Sequence, residues 1–155
     1  EAYIPKSGAR VMSLQDPKRK MSKSDPDDCF ISMLDGADVV RRKLRRAVTD
    51  SDSEIRFDAE NKPGVSNLLA MLCALTGEPM DKTVESFAGK GYGDLKSTVA
   101  DAIIATLEPI QADYNRYMGD KAYLETVYRQ GAERAGRLAE RTLSKAMKKI
   151  GFIAK

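Results

Sequence analysis

The residues best suited to chemistry in this sequence are two lysines three positions apart, Lys20 and Lys23, in the run Lys-Met-Ser-Lys-Ser. The hydroxyl residues Ser22 and Ser24 lie between and after them. Two ammonium groups, together with hydroxyls and backbone N–H donors, can contact one polyanion, because lysine binds phosphate as a point charge on a long stem. Phosphoryl transfer at a nucleotide requires such groups, since negative charge builds up on the departing phosphates. By charge pattern alone, a solvated basic loop is the alternative.

The composition excludes several classes of catalytic and metal site. The 155 residues include 26 Lys and Arg, 23 Asp and Glu, and no histidine, for a net charge of +3. The lack of histidine rules out a histidine-based triad, a histidine general base and a histidine-ligated zinc site. Cys29 and Cys73 are too far apart for a CxxC pair, so we expect reduced thiols in a cytoplasmic protein. No protein-ligated metal is expected.

Length and hydropathy indicate a soluble chain of domain size. An apolar share of 42% with 32% charged residues is typical of a folded protein with a core. No apolar run approaches about 18 residues, so no membrane span is expected, and no signal peptide opens the sequence. The first residue is Glu1 rather than Met, which suggests a piece of a longer protein.

The first 28 residues differ in character from the rest. They contain three of the six prolines, and the short apolar run at 9–14 predicts a β-strand, because breakers lie on both sides of it. The two lysines lie in the polar loop that follows, at 15–24. The predicted fold class is mainly α: a bundle of about five or six helices after a short strand and loop.

Helical spacing of apolar residues begins near residue 36. Val40 and Leu44 lie on one face of a predicted first helix, whose other side carries the basic residues Arg41, Arg42, Lys43, Arg45 and Arg46. A second helix is predicted after Pro63. It is apolar on most sides, which indicates burial, and Gly77 ends it.

Three more helical stretches follow. A short amphipathic helix is predicted at 81–88. Asp94 is a good N-cap for a long helix in which Pro109 introduces a kink. The last stretch, at 121–150, contains glycines that lower helix stability, and we expect a bend or break near Gly131.

The run at 20–24 resembles the KMSKS signature of the class I aminoacyl-tRNA synthetases. Residues 8–17, which lead into it, are similar to the tryptophanyl-tRNA synthetases of that class. Further similar stretches lie at 47–51, at 61–69 and within 131–152. The resemblance covers essentially the whole chain, and the combination is far more specific than the signature alone.

This resemblance implies a role in amino-acid activation. Family members use ATP to convert tryptophan to tryptophanyl-adenylate and pyrophosphate, then transfer the aminoacyl group to tRNA(Trp). By resemblance, Lys20 and Lys23 are the catalytic residues, which steady the leaving pyrophosphate. The nucleotide-binding set implied is Val11 and Met12 beside adenine, Met21 as the loop's anchor, and Lys20, Ser22, Lys23 and Ser24 at the phosphates. Magnesium is expected on the phosphates, without a protein cage.

The resemblance also sets expectations for domains and partners. Residues 1–28 are expected to form the C-terminal edge of a Rossmann-type catalytic domain, and residues 29–155 a helical domain that binds the tRNA anticodon region. The family's nucleotide-binding half, with the tryptophan pocket and the homodimer interface, would precede residue 1. The chain alone is therefore expected to be inactive, and the full-length enzyme to be a cytoplasmic homodimer that binds tRNA(Trp), tryptophan and ATP.

A basic stripe near the C-terminus is the candidate RNA-binding surface. Its members recur at helical spacing opposite an apolar side and could follow an RNA backbone; they are Arg134, Arg137, Arg141, Lys145 and Lys148. A solvated helix face is the alternative. The basic cluster at 41–46 could face the tRNA stem or the acidic segment at 50–58. Tyr114, Tyr117, Tyr123 and Tyr128 could stack on bases, although their spacing favours core packing.

Two other interpretations of the whole chain remain open. The first is the corresponding part of a tyrosyl-tRNA synthetase, the nearest relative within class I. The second is a stand-alone helical RNA-binding module that retains a relic loop. The amino-acid pocket that would separate the first alternative lies outside this sequence.

Overall fold

A computed structural model describes residues 10–152 of the chain. Over that range the fold is mainly helical, as predicted. The helices are α1 (Ala37–Arg46), α2 (Pro63–Thr76), α3 (Met80–Glu85), α4 (Tyr92–Gly119) and α5 (Lys121–Lys149), and a 3₁₀ turn at Asp27–Cys29 precedes them. None of the helices within this range is long and apolar enough to cross a membrane.

The predicted strand is wrong over its described part, residues 10–14. Only Met12 pairs, in a single antiparallel bridge with Lys20. A strand needs a neighbouring strand to satisfy its backbone groups. Here the side chain of Asn67 in α2 takes that place, since the Met12 N–H donates to Asn67 Oδ1 and Asn67 Nδ2 donates to the Met12 carbonyl, both at 2.9 Å. Ala9 lies outside the described residues.

Contacts divide the chain into two compact units, at Gln111 and Ala112. The first unit has one apolar core, to which α1, α2 and the first part of α4 contribute. Its fully buried side chains include Leu14, Val40, Leu44, Val65, Leu68, Leu69, Leu95 and Val99. The burial predicted for α2 is confirmed, because nine of its residues are buried.

Local signals set both ends of α2. Pro63 occupies its first turn, where proline costs no helical hydrogen bond. A Cβ on Gly64 would lie 2.2 Å from the carbonyl oxygen of Val48, so only glycine allows this close approach. Gly77 ends the helix with φ +75°, a left-handed conformation that glycine adopts without strain.

The long helix α4 begins slightly before its predicted cap. It starts at Tyr92, and the side chain of Asp94 accepts the N–H of Gly91 at 3.0 Å. Pro109 lies inside the helix, as predicted. The predicted end of α3 at residue 88 is late, since the helix ends at Glu85.

The second unit contains the end of α4 and all of α5. Asp120 caps α5 by accepting the N–H of Tyr123 at 2.9 Å. The helix then continues without a break through Gly131 and Gly136, so the break expected near Gly131 is absent. A single glycine costs about 1 kcal/mol, which the alanine, glutamate and arginine residues around it offset.

The expectation that the tyrosines pack in a core is wrong. All four are exposed, with fractions from 39% at Tyr117 to 68% at Tyr128. The rings of Tyr117 and Tyr123 instead stack on each other, 5.8 Å apart. Helical spacing places residues on one face but does not say whether another element covers that face.

Candidate functional site

The candidate site is the loop at residues 20–25, which we call the lysine loop. Its first side is fixed to the segment before it by backbone hydrogen bonds. The N–H of Met21 donates to the carbonyl of Val11 at 3.0 Å, and the N–H of Ser13 donates to the carbonyl of Arg19 at 2.9 Å. Met21 is half-buried and packs against the core. The loop therefore leaves the core from a fixed base.

Short-range contacts define the turn of the lysine loop. The N–H of Asp25 donates to the carbonyl of Ser22, and the N–H of Ser24 donates to Ser22 Oγ, both at 3.2 Å. Arg19 pairs with Asp25 at 3.2 Å and so joins the two sides of the loop. Ser22 Oγ thus accepts a hydrogen bond that shapes the turn, and its O–H remains able to donate.

Lys20 and Lys23 are both exposed on this loop. Within residues 10–152 neither side chain forms an ion pair, whereas the neighbouring Asp25 is taken by Arg19. The backbone of Lys20 is held by the bridge to Met12, while the residue as a whole is exposed. Two ammonium groups are therefore presented to solvent from a backbone that is held at its base.

The other side of the loop is held by Lys43, which the sequence analysis placed among the basic residues opposite the apolar face of α1. Its side chain is fully buried, and its ammonium lies 2.8 Å from Asp27 Oδ1 and 2.8 Å from Asp35 Oδ2. It also lies 5.0 Å from the centre of the Phe30 ring. Because Asp27 opens the 3₁₀ turn directly after the loop, Lys43 fixes the loop's exit to α1.

Opposing effects act on the pKa of Lys43. Burial alone lowers it, because the charged form loses hydration, but the hydrogen bonds and charges of Asp27 and Asp35 outweigh this and raise the pKa above its ordinary value. Lys43 therefore stays protonated. The signal available in the sequence was its position beside the buried Leu44, with acidic residues upstream.

Two polar side chains missed by the sequence analysis hold the segment before the loop. Asn67 binds both backbone groups of Met12. Gln15 donates from Nε2 to the carbonyl of Arg46 at 3.2 Å and to that of Asp28 at 3.4 Å. Backbone bonds follow the same route, from Leu14 N–H to Cys29 O and from Val48 N–H to Leu14 O. Residues 11–15 are thereby tied to α2, to α1 and to the turn after the lysine loop.

A second buried lysine organises the acidic segment after α1. Lys62 contacts Asp50 Oδ1 at 3.1 Å and Asp52 Oδ2 at 2.9 Å, and the hydroxyl of Tyr92 donates to Asp50 Oδ1 at 2.6 Å. The hydrogen bond from Lys62 lowers the pKa of Asp52 from 3.8 to about 2, with help from the N–H of Glu54. This network fixes the irregular segment at 49–60 against the start of α4.

The basic cluster at 41–46 does not form one surface. Lys43 is buried, and Arg46 pairs with Asp28 at 3.2 Å. Arg41 pairs with Asp101. Arg42 and Arg45 are exposed and, within the described part of the chain, form no ion pair.

All five members of the basic stripe lie on α5 and are exposed. Within residues 10–152 none of them forms an ion pair, and Arg137 donates to the carbonyl of Glu133 at 3.3 Å. Leu138 and Leu143, from the predicted apolar side, are also exposed, at 70% and 59%. The stripe is therefore a continuous basic surface along one helix.

Residues 10–152 hold no cluster of three acidic, histidine or cysteine side chains that could bind a metal ion. Both cysteines are free thiols, with Cys73 buried and Cys29 half-buried.

Comparisons with known proteins agree on one family. The family described as tRNA synthetases class I (W and Y) matches residues 2–108. The tryptophan–tRNA ligase of Clostridium tetani is 46% identical over 154 residues, which is 99% of this chain and 45% of that protein. The ligase of Corynebacterium efficiens is 48% identical over 155 residues, again 99% of this chain and 45% of that protein.

A solved structure gives the same result. The crystal structure of tryptophanyl-tRNA synthetase from Mycoplasma pneumoniae superposes with a TM-score of 0.74 at 32% identity, covering 96% of this chain and 45% of that chain. The chain thus spans somewhat less than half the length of the relatives it matches. On these matches, the chain belongs to the class I tRNA synthetase family for tryptophan and tyrosine, within its tryptophanyl branch.

Proposed function

We propose that this chain supplies the phosphate-contacting loop and the RNA-binding helices of a tryptophan–tRNA ligase. In that reaction tryptophan attacks the α-phosphorus of ATP, pyrophosphate leaves, and the tryptophanyl group passes to tRNA(Trp). By the family resemblance, we place the tryptophan pocket in the part of the ligase that this chain does not span. The chain alone is therefore expected to be catalytically inactive.

The observation that carries the proposal is the contrast between a fixed loop base and two exposed ammonium groups. Lys20 and Lys23 have no carboxylate partner within residues 10–152. The base is held by Val11, by Arg19 and by the Lys43 brace. Positive charges that are held in place and have no acidic partner can stabilise the negative charge that develops on the departing pyrophosphate in the transition state.

The remaining nucleotide contacts are proposed from the family resemblance. Val11 and Met12 pair with the first residues of the loop, Met21 and Lys20, and would contact adenine, while Met21 anchors the loop to the core. Ser22 and Ser24 would donate hydroxyl or backbone hydrogen bonds to phosphate oxygens. Mg²⁺ would be bound through the ATP phosphates, with the protein supplying no cage.

We assign RNA binding to the helical part of the chain. The boundary between the edge of the catalytic domain and the helical domain is proposed near residue 28. The basic stripe would contact the backbone of the anticodon region; its members are Arg134, Arg137, Arg141, Lys145 and Lys148.

Replacing Arg137 and Arg141 together by glutamine should weaken tRNA binding and make it less dependent on salt concentration. An unchanged salt dependence would mean that the stripe is an ordinary solvated helix face. A homodimer in the cytoplasm, formed through the part of the ligase outside this chain, completes the proposal.

A chimaera tests the catalytic proposal directly. Residues 1–155 would replace the matching segment of the Clostridium perfringens tryptophan–tRNA ligase, to which the chain is 47% identical. The chimaera should catalyse tryptophan-dependent exchange of pyrophosphate into ATP. Lys23→Ala in the chimaera should slow this exchange by roughly 10²–10³-fold, the effect of losing one preorganised transition-state contact.

Lys18→Ala is the matched control, because Lys18 is exposed two residues before the loop and the change removes the same charge. It should retain nearly full exchange. Equal rates for the Lys18 and Lys23 variants would contradict the assigned role of the loop. An inactive chimaera that still binds tRNA would favour the stand-alone RNA-binding module. The tyrosyl alternative is disfavoured on a separate ground, because the matched relatives are named as tryptophan–tRNA ligases.

A further inference from the structure

A basic cavity lies between α1 and the first turns of α4, within the first unit. Its volume is about 520 Å³, and its lining residues are Arg41, Arg45, Gly93, Lys96, Ser97 and Ala100. It is separate from the lysine loop, none of whose residues lines it. Three of its six lining residues carry a positive charge.

The charge of this cavity is only partly compensated. Lys96 is half-buried, and its ammonium donates to the carbonyl of Ala47 at 2.7 Å and to that of Arg45 at 3.4 Å. Within residues 10–152 it has no carboxylate partner, and burial lowers its pKa. Arg45 forms no ion pair within the same range. Among the lining residues, Arg41 alone forms an ion pair within the described part of the chain, with Asp101, and both members of that pair are about half exposed.

The donors around the cavity suit a phosphate group. Arginine offers a planar fork that matches two phosphate oxygens, and Ser97 adds a hydroxyl. Gly93 lies in the first turn of α4, where backbone N–H groups lack helical acceptors, and a Cβ there would meet nothing within 4 Å. The lining contains no carboxylate and no aromatic ring that could bind a base.

We propose that this cavity binds a phosphate of an RNA backbone. The inference rests on the proposed function, because tRNA is the polyanion that function supplies. The volume exceeds that of one phosphate ion and accommodates a sugar–phosphate stretch. The exposed guanidinium of Arg45 makes the contact, and Lys96 holds the cavity wall by donating to the carbonyls of Arg45 and Ala47 at the C-terminal end of α1.

The experiment compares two single-charge variants of the full 155-residue chain. Arg45→Gln removes a cavity charge, and Arg42→Gln removes an exposed charge from the same helix that does not line the cavity. Affinity for a tRNA(Trp) transcript is measured by fluorescence anisotropy over a range of KCl concentrations. Arg45→Gln should weaken binding about 5- to 10-fold. It should also make the fall of the log association constant with log[KCl] less steep, by about 1. Arg42→Gln should change the affinity and the salt dependence far less.

In a second experiment, inorganic phosphate is added to the chain at constant ionic strength, and binding is followed by the backbone NMR signals of Gly93 and Ser97. Equal tRNA affinities and salt slopes for the two variants would overturn the cavity proposal and leave the lysine-loop proposal intact. Phosphate-induced shifts that Arg45→Gln abolishes, with unchanged tRNA affinity, would make it a free-phosphate site and also overturn the proposal. If the unmodified chain binds no transcript, the RNA assignment falls as a whole, whereas the pyrophosphate exchange of the chimaera still tests the loop.

Discussion

Four lysines of the first unit have two different environments. Lys43 and Lys62 are buried, with side-chain exposures of 0% and 3%, and each contacts two carboxylates. Lys20 and Lys23 are exposed on the lysine loop and have no carboxylate partner within residues 10–152. The same side chain is thus used for structure in one region and left available to a ligand in the other.

The difference follows from the cost of dehydrating a charge. A buried ammonium is tolerated only where acidic groups and hydrogen bonds replace the lost water. Once paired in this way, its charge is compensated and it attracts no further anion. A lysine that must contact a phosphate formed during a reaction has to remain hydrated and uncompensated until that phosphate arrives. The presence or absence of an acidic partner therefore separates bracing lysines from ligand-binding ones.

The largest effect is expected from removing a buried lysine. Lys43→Met keeps most of the side-chain volume but leaves Asp35, only 12% exposed, without its partner. Breaking a buried pair in this way costs about 3 kcal/mol, and the free energy of unfolding should fall accordingly. Urea unfolding followed by circular dichroism measures the change.

A double variant distinguishes lost pairing from lost packing. Adding Asp35→Asn to Lys43→Met removes the stranded charge and should restore part of the stability, because the desolvated carboxylate is then absent. Lys18→Met is the exposed control and should change little. A loss below about 1 kcal/mol for the single variant would show that Lys43 is not a brace.

The lysine loop could be predicted from the sequence because its information is local. Five consecutive residues, 20–24, carry its signature, and the end of α2 is likewise marked by a single glycine, Gly77. The side-chain contacts that hold the loop and the segment before it could not be predicted in the same way, since they join residues that are distant in the sequence. Asn67 and Met12 are 55 residues apart, and Lys43 and Asp27 are 16 apart. Without the tertiary fold, Lys43 is only one of several basic residues on a helix.

Two errors have a related cause. The apolar run at 10–14 meets the pattern of a strand, but strand formation depends on a partner whose place Asn67 takes. The spacing of Tyr114 and Tyr117 meets the pattern of a buried face, but both rings are exposed. In each case the pattern describes the segment correctly, and what lies beside the segment decides the outcome.

An intermediate, pH-dependent effect is expected at Asp52, the partner of Lys62. The pKa of Asp52 is lowered to about 2 in the folded protein, first by the hydrogen bond from Lys62. A depressed acidic pKa contributes stability above the unfolded value near 3.8 and loses it as pH falls toward 2. Asp52→Asn should therefore make the loss of stability between about pH 4 and pH 2 less steep.

Urea midpoints measured from pH 6 to pH 2 would show this change in slope. Glu78→Gln is a suitable control, because Glu78 is exposed and forms no ion pair within residues 10–152. Identical pH profiles for the Asp52 variant and the unmodified chain would mean that the contact with Lys62 contributes no pH-dependent stability.

Lys23→Ala is expected to have the smallest effect on stability, although it should have the largest effect on catalysis. Lys23→Ala removes an exposed charge that has no acidic partner within the described residues, so the free energy of unfolding should change by no more than about 0.5 kcal/mol. Removing this charge also removes the repulsion between Lys23 and the neighbouring basic residues Lys18, Arg19 and Lys20, so any shift should be stabilising. A destabilisation of 2 kcal/mol or more in urea unfolding would place Lys23 with the bracing lysines, and a slowed exchange reaction in the chimaera would then reflect a disordered loop rather than a lost phosphate contact.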